Sequence, residues 1–205
     1  YKFLNVSFTV VAAAYVSRIL MPEGIGKVSS AQNIAQYFVL VASLGIPTYG
    51  IKAIAVAGDD RETISKVCSE LLAINAISTT VCTAVYYLAI FFIPFFRERR
   101  VLYAICGTVI PFRLLHIEWL YQGKEQYGYI LMRSITVKAV MLIGVFLLVR
   151  ESTDYLIYAA LLVAAAEANN VFNIIHARRY VDLRFHNMDL RQHLKPIFAL
   201  LAVVV

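Results

Sequence analysis

The 205 residues are 60% hydrophobic, with a mean hydropathy of +0.71 and a formal net charge of +6. Soluble domains hold about 45–50% apolar residues, and a core of this size cannot hide the excess, so the composition excludes an ordinary soluble protein and implies an integral membrane protein. The positive charge does not call for nucleic acid, because membrane proteins concentrate Lys and Arg in cytoplasmic loops.

Hydropathy predicts an all-α transmembrane bundle, since crossing about 30 Å of hydrocarbon takes about 20 apolar residues. The first span covers residues 3–20; it has no small-residue cleavage site and reads as a retained helix. The stretch Met21 to Lys27 reads as a glycine-rich interhelix turn, because a phosphate-cradling loop would need a preceding strand. The second span, 31–55, is expected to bend near Gly45, Ile46 and Pro47. A solvated loop around Gly58 to Glu62 follows, with Asp59 or Asp60 as the candidate helix cap. The third span, 68–94, carries Asn75, Ser78, Thr79, Cys82 and Tyr86 on one helix face, a stripe that fits helix packing or a pore lining. Cys68, Cys82 and Cys106 lie far apart in apolar runs, so small buried fillers are expected rather than a disulfide framework or a metal site.

The fourth span, 101–122, is the informative one. It carries Arg113, His116 and Glu118 in an apolar run. A guanidinium near mid-membrane costs at least about 2.5 kcal/mol, which is tolerated only where it faces a polar cavity, a partner or a ligand. Pro111 has no N–H, so the carbonyl of Gly107 loses its partner and a kink is expected before Arg113. In the fifth span, 130–149, Arg133 is placed where it can snorkel to the interface. Lys138 lies deeper and either faces a polar cavity or does not. The sixth span, 154–176, aligns Asn169, Asn173 and His176, with Asn170 and Glu167 beside them. These either line a cavity or hydrogen-bond between helices. Arg113 stands twelve residues into its span and Glu167 thirteen into its own, so both fall near the midplane. Arg113 is therefore expected to meet Glu167 or an anionic ligand. Residues 177–195 form a basic, amphipathic connector lying on the membrane surface, with Leu183, Phe185 and Leu194 among its apolar members. A seventh span is expected to open at Pro196, a first-turn residue. The chain opens without Met and stops inside an apolar run, so it reads as part of a longer polytopic protein.

With the amino end in the cytoplasm, the cytoplasmic side holds twelve Lys and Arg against six outside, Arg113 being left within the membrane. That asymmetry favours this orientation.

Four stretches in order resemble the Wzx-type polysaccharide and O-antigen flippases, in the superfamily that includes the multidrug exporters: Ser17 to Val28, Ala42 to Ile51, Glu118 to Tyr127, and Asp154 to Tyr158. The resemblance implies a two-lobed helix bundle around a cavity that opens alternately to each side. Residues 1–176 would be the first six-helix lobe, 177–195 the inter-lobe connector and 196–205 the start of helix seven. It also implies flipping of an oligosaccharide linked to undecaprenyl pyrophosphate across the bacterial inner membrane, alongside polymerase and chain-length partners. Arg113 and Lys138 suit a pyrophosphate; Asn75, Asn169, Asn170 and Asn173 suit sugar hydroxyls. Glu118, Glu167 and His116 are the candidates for ion coupling. Two departures stand out: Glu118 replaces an Asp common in the family, and residues 3–20 lack the acidic residue of many multidrug exporters. No nucleotide-binding loop, cofactor or bond chemistry is expected. The rival readings are an exporter of small cations, which would need an acidic cavity, and a membrane-embedded polymerase or glycosyltransferase, which would carry a large outer loop. A scaffold role does not account for the buried charges.

Overall fold

The structure, a computed structural model, describes residues 2–182 and 188–204; Leu183 and Phe185 of the predicted connector lie outside them. All regular elements among the described residues are helical, as the composition requires of a chain that must satisfy its backbone groups within lipid.

Helix α1 (Lys2–Ile19) turns at Leu20 into α2 (Met21–Ser43). Here the expected interhelix turn is corrected: Gly24 and Gly26 lie inside α2. The reversal is confined to Met21, whose φ is 56°, and Pro22 starts the new helix with its fixed φ. The second predicted span bends where expected. After Ser43, Leu44 and Gly45 take φ of 48° and 77°, and α3 (Ile46–Ala57) departs at 41° to α2. Helix α4 (Arg61–Phe92) starts seven residues before the predicted boundary, because the Asp60 carboxylate accepts from the backbone N–H groups of Glu62 and Thr63 and so caps it.

The fourth predicted span is broken rather than kinked. After a 3₁₀ turn at Pro94–Arg99 it consists of α5 (Arg100–Gly107), α6 (Val109–Phe112), a 3₁₀ turn at Arg113–Leu115, an extended His116, and α7 (Glu118–Gly123). Pro111 accounts for the first interruption, and Gly107 is needed there because a side chain would meet the Tyr86 ring. Helices α8 (Tyr127–Leu148) and α9 (Tyr155–Ala177) fall within a few residues of expectation. Helix α10 (Arg191–Val204) begins before Pro196, which therefore sits inside the helix rather than opening it. Among the described residues α4, α8 and α9 are each long and apolar enough to cross a membrane, as is the bent α2–α3 pair taken together. The chain is a multi-pass all-α bundle.

Helix α2 packs on α4, α5 and α9; α8 packs on α9 and α1; α3 packs on α7 and α4. Three apolar cores result: a small one joins Val16 and Leu20 to Val145 and Val149 of α8, and two larger ones are stacked along the bundle. One joins Ile64 to Ile74 of α4 with Ile117, Leu120 and Tyr121, and reaches Ala177 of α9. The other joins Cys82 to Ile90 of α4 with Leu102 to Ile110, and reaches Ala159 of α9. The three cysteines are buried and free. The loops assigned to the cytoplasm meet at one end, where Lys124 pairs with Asp59 at 3.0 Å and Arg61 with Asp182 at 3.1 Å.

Candidate functional site

Between the two larger cores lies a polar layer. On α4 they are separated by Asn75, Ser78 and Thr79; on the broken span by Arg113 and His116; on α9 by Glu167 to Asn173. The layer lines an open-sided cavity of about 260 Å³, formed by Gln36 of α2, Arg113, His116 and Glu118 of the broken span, Arg133 and Ser134 of α8, and Glu167, Asn169 and Asn170 of α9, among others. A larger, mostly apolar cavity of about 670 Å³ lies away from this layer, between α4, α7 and the end of α9.

The cavity's two guanidinium groups are held differently. Arg133 is buried and does not take the snorkelling position open to it. Its Nη2 donates to Glu118 Oε2 at 2.5 Å and its Nη1 to Asn173 Oδ1. A carboxylate within reach removes the reason to seek water, so the pair stays inside. Glu118 also accepts from Gln122 Nε2 at 3.2 Å. Arg113 has no carboxylate within ion-pair distance among the described residues; its Nε donates to the Ser43 hydroxyl at 2.8 Å. The expected direct pairing with Glu167 is not formed, although both groups line the same cavity.

On α9, Glu167 Oε2 accepts from Asn170 Nδ2 at 3.0 Å, and Asn169 Nδ2 donates to the Ala165 carbonyl at 3.0 Å. Glu167 Oε1 and Asn169 Oδ1 are buried without a partner among the described residues, a condition that in native proteins points to a functional role or a further ligand.

Three predicted residues stand outside the cavity lining. Asn75 turns to backbone, donating to the Arg113 carbonyl at 3.0 Å with its oxygen held by Thr79 at 3.3 Å. Ser78 likewise donates to the Ala42 carbonyl at 2.6 Å. The α4 stripe thus serves packing, tying down carbonyls beside two broken helices. Asn173 is fully enclosed; its backbone carbonyl accepts from the Tyr121 hydroxyl at 2.5 Å. Lys138, one turn beyond Ser134, is half-buried and does not line the cavity. His176 stacks on Tyr129, their ring centroids 4.0 Å apart. Sequence reasoning missed Gln36, Ser43 and Ser134. The first two lie seven residues apart in an apolar helix, a one-face spacing that could have revealed them.

The family model described as polysaccharide biosynthesis protein matches residues 2–201. The chain belongs to that family. A polysaccharide biosynthesis protein is what the resemblance in the four motifs anticipated. A curated relative from Shigella dysenteriae, named "Putative O-antigen transporter", is 27% identical over 152 residues, which are 73% of this chain and 37% of the relative. The chain thus matches little more than a third of that relative's length. No solved structure matches the chain.

Proposed function

We propose that this chain forms the first lobe of a flippase that carries a polyprenyl-pyrophosphate-linked oligosaccharide from the cytoplasmic to the outer leaflet of the bacterial inner membrane, for O-antigen or related surface polysaccharide. The amino end lies in the cytoplasm, and the segment between α9 and α10 leads to a second lobe that opens at α10. The observation that carries this reading is the polar cavity between two apolar cores, in which Arg113 faces Glu167, Asn169 and Asn170. A pyrophosphate needs a planar, permanently charged donor, which Arg113 supplies; sugar hydroxyls need amide and carboxylate partners, which α9 supplies. At about 260 Å³ the cavity is a half-site, since small-molecule pockets run about 300–1,000 Å³, and the second lobe provides its opposite wall. The polyprenyl tail stays in lipid.

Of the three ion-coupling candidates, Glu118 is committed to Arg133; of His116 and Glu167, which both line the cavity, Glu167 is the carboxylate with one oxygen unpartnered among the described residues, and it takes that role. Bound lipids and a polysaccharide polymerase with its chain-length factor are the partners this reading implies. The test is complementation of a deletion strain with the full-length gene. Arg113→Ala is expected to insert and accumulate normally while lipid-linked repeat units build up on the inner leaflet. Normal surface polymer at normal protein level would remove Arg113 from the mechanism.

A further inference from the structure

Two interrupted helices meet at one contact. Helix α2 ends at Ser43, and the next two residues, Leu44 and Gly45, turn the chain through left-handed φ values into α3. The fourth segment interrupts itself at Arg113–Leu115. The Arg113 guanidinium bridges the two breaks by donating to Ser43 Oγ at 2.8 Å, while that hydroxyl donates its own proton to the Val39 carbonyl at 2.6 Å. Helix α4 holds both sides: Ser78 binds the Ala42 carbonyl and Asn75 binds the Arg113 carbonyl. Ser43, Asn75 and Thr79 are all buried. Each break is thus tied to α4 by one hydrogen bond, and the Arg113 side chain adds a direct link between the two breaks.

A neutral hydroxyl is a weak partner for a guanidinium. An anion is a strong one, because charge-assisted bidentate bonds are about twice as strong as neutral ones. We propose that Ser43 is a positioning residue that parks Arg113 while the cavity is empty, and that an anionic phosphate group displaces it, so that cargo binding breaks the bridge between the two interrupted helices. This rests on the flippase reading and adds to it a route from cavity to fold. The α2–α3 bend loses its side-chain link to the broken span only when the anion is bound, so the ligand favours the state in which the bend is free.

The parking role has a signature that a purely structural serine lacks. Removing a competitor for Arg113 tightens anion binding, whereas removing a structural support weakens it. The probe is inorganic pyrophosphate, titrated calorimetrically onto the full-length protein in lipid nanodiscs. Ser43→Ala is expected to bind at least about tenfold more tightly than the unmodified protein, the factor to which one hydrogen bond from a charged donor converts. Ser43→Thr, which keeps the hydroxyl, is expected to return to the unmodified affinity. A second readout is the distance between spin labels at Tyr37→Cys and Val56→Cys, on exposed faces of α2 and α3; Cys68, Cys82 and Cys106 are buried, and any cysteine elsewhere in the full-length protein is replaced by Ser. Pyrophosphate is expected to shift that distance in the unmodified background, and Ser43→Ala to show the shift without it. Unchanged or weaker binding by Ser43→Ala, or an unmoved bend on binding, overturns this proposal alone. Absence of any pyrophosphate binding by the unmodified protein overturns the flippase reading and this proposal together.

Discussion

Glu118 and Arg133, carried by different helices, close an ion pair at 2.5 Å on the wall of the polar cavity, and Arg133 also reaches the side-chain oxygen of Asn173 on α9. The consecutive helices α7 and α8 are thereby tied to each other and to the more distant α9 at mid-bundle. Arg133 is buried and Glu118 partly so; losing one partner of a fully buried pair costs about 3–5 kcal/mol, which is the upper bound here. Arg133→Ala and Glu118→Ala are therefore expected to lower the thermal stability and membrane abundance of the full-length protein. The double substitution Glu118→Gln with Arg133→Met removes both charges and is expected to recover most of the loss. A double variant no better than the worse single one would contradict the pairing.

Arg113 and Arg133 are expected to differ in what their loss does. Arg113 gives up one hydrogen bond to a hydroxyl, so Arg113→Gln costs at most about 1.5–3 kcal/mol of stability while abolishing export. Arg133→Gln acts first on protein level. Quantitative immunoblotting alongside surface-polysaccharide staining separates the two.

The close approach of α3 to α7 depends on Gly50. A methyl group there would stand 2.6 Å from Trp119 Cε3. The indole has little freedom to withdraw, being almost fully buried and donating its N–H to the His116 carbonyl at 3.1 Å. Gly50→Ala is expected to destabilise by about 1–3 kcal/mol, the usual cost of overpacking, read as a lower unfolding temperature in detergent.

Glu70 is the anchor for the start of α10. It is 1% exposed and accepts from the Asp189 backbone N–H at 2.8 Å and from Gln192 Nε2 at 3.1 Å, and it contacts His193 Nε2 at 2.7 Å; the Tyr49 hydroxyl meets the other ring nitrogen at 2.8 Å. Glu70→Ala strips all three partners of their acceptor and is expected to release the connector, seen as faster proteolysis between α9 and α10. An unchanged cleavage rate would show that the apolar contacts of Ile197 hold it instead.

The Asp60 cap gives a pH dependence outside the membrane. Hydrogen bonds from the Thr63 side chain and the Glu62 backbone N–H hold its carboxyl below the usual carboxylate range. A lowered folded-state value means the cap contributes stability above the ordinary carboxylate range and loses it as pH falls through the lowered value. Asp60→Ala is expected to be less stable than the unmodified protein at neutral pH and to converge with it in strong acid. Asp60→Asn, which also caps without titrating, is expected to flatten the difference.

Much of the fold was legible because its causes are local. Gly45 and Pro47 announced the bend, Asp60 the start of α4, and Pro111 an interruption of the fourth segment. What escaped depends on neighbours distant in sequence. Whether Arg133 snorkels or stays inside is decided by Glu118 and Asn173, which no spacing on its own helix reveals. Asn75 and Ser78 sit on a polar stripe that reads equally as pore or packing until the carbonyls of Arg113 and Ala42 are seen beside them. The Met21–Lys27 stretch was misread because two glycines suggest a turn, whereas one left-handed residue at Met21 completes the reversal. The cavity itself was legible as a set of expensive side chains at similar depth, but not as a list of neighbours.

The central claim, that this polar layer receives the cargo's charged head, is tested most directly by reconstituting the full-length protein in liposomes with lipid-linked oligosaccharide and following the fraction of sugar exposed to a membrane-impermeant glycosidase. The account predicts that exposure on the far leaflet rises with the unmodified protein and stays at the protein-free level with correctly folded Arg113→Ala. Equal rates for the two proteins would contradict it.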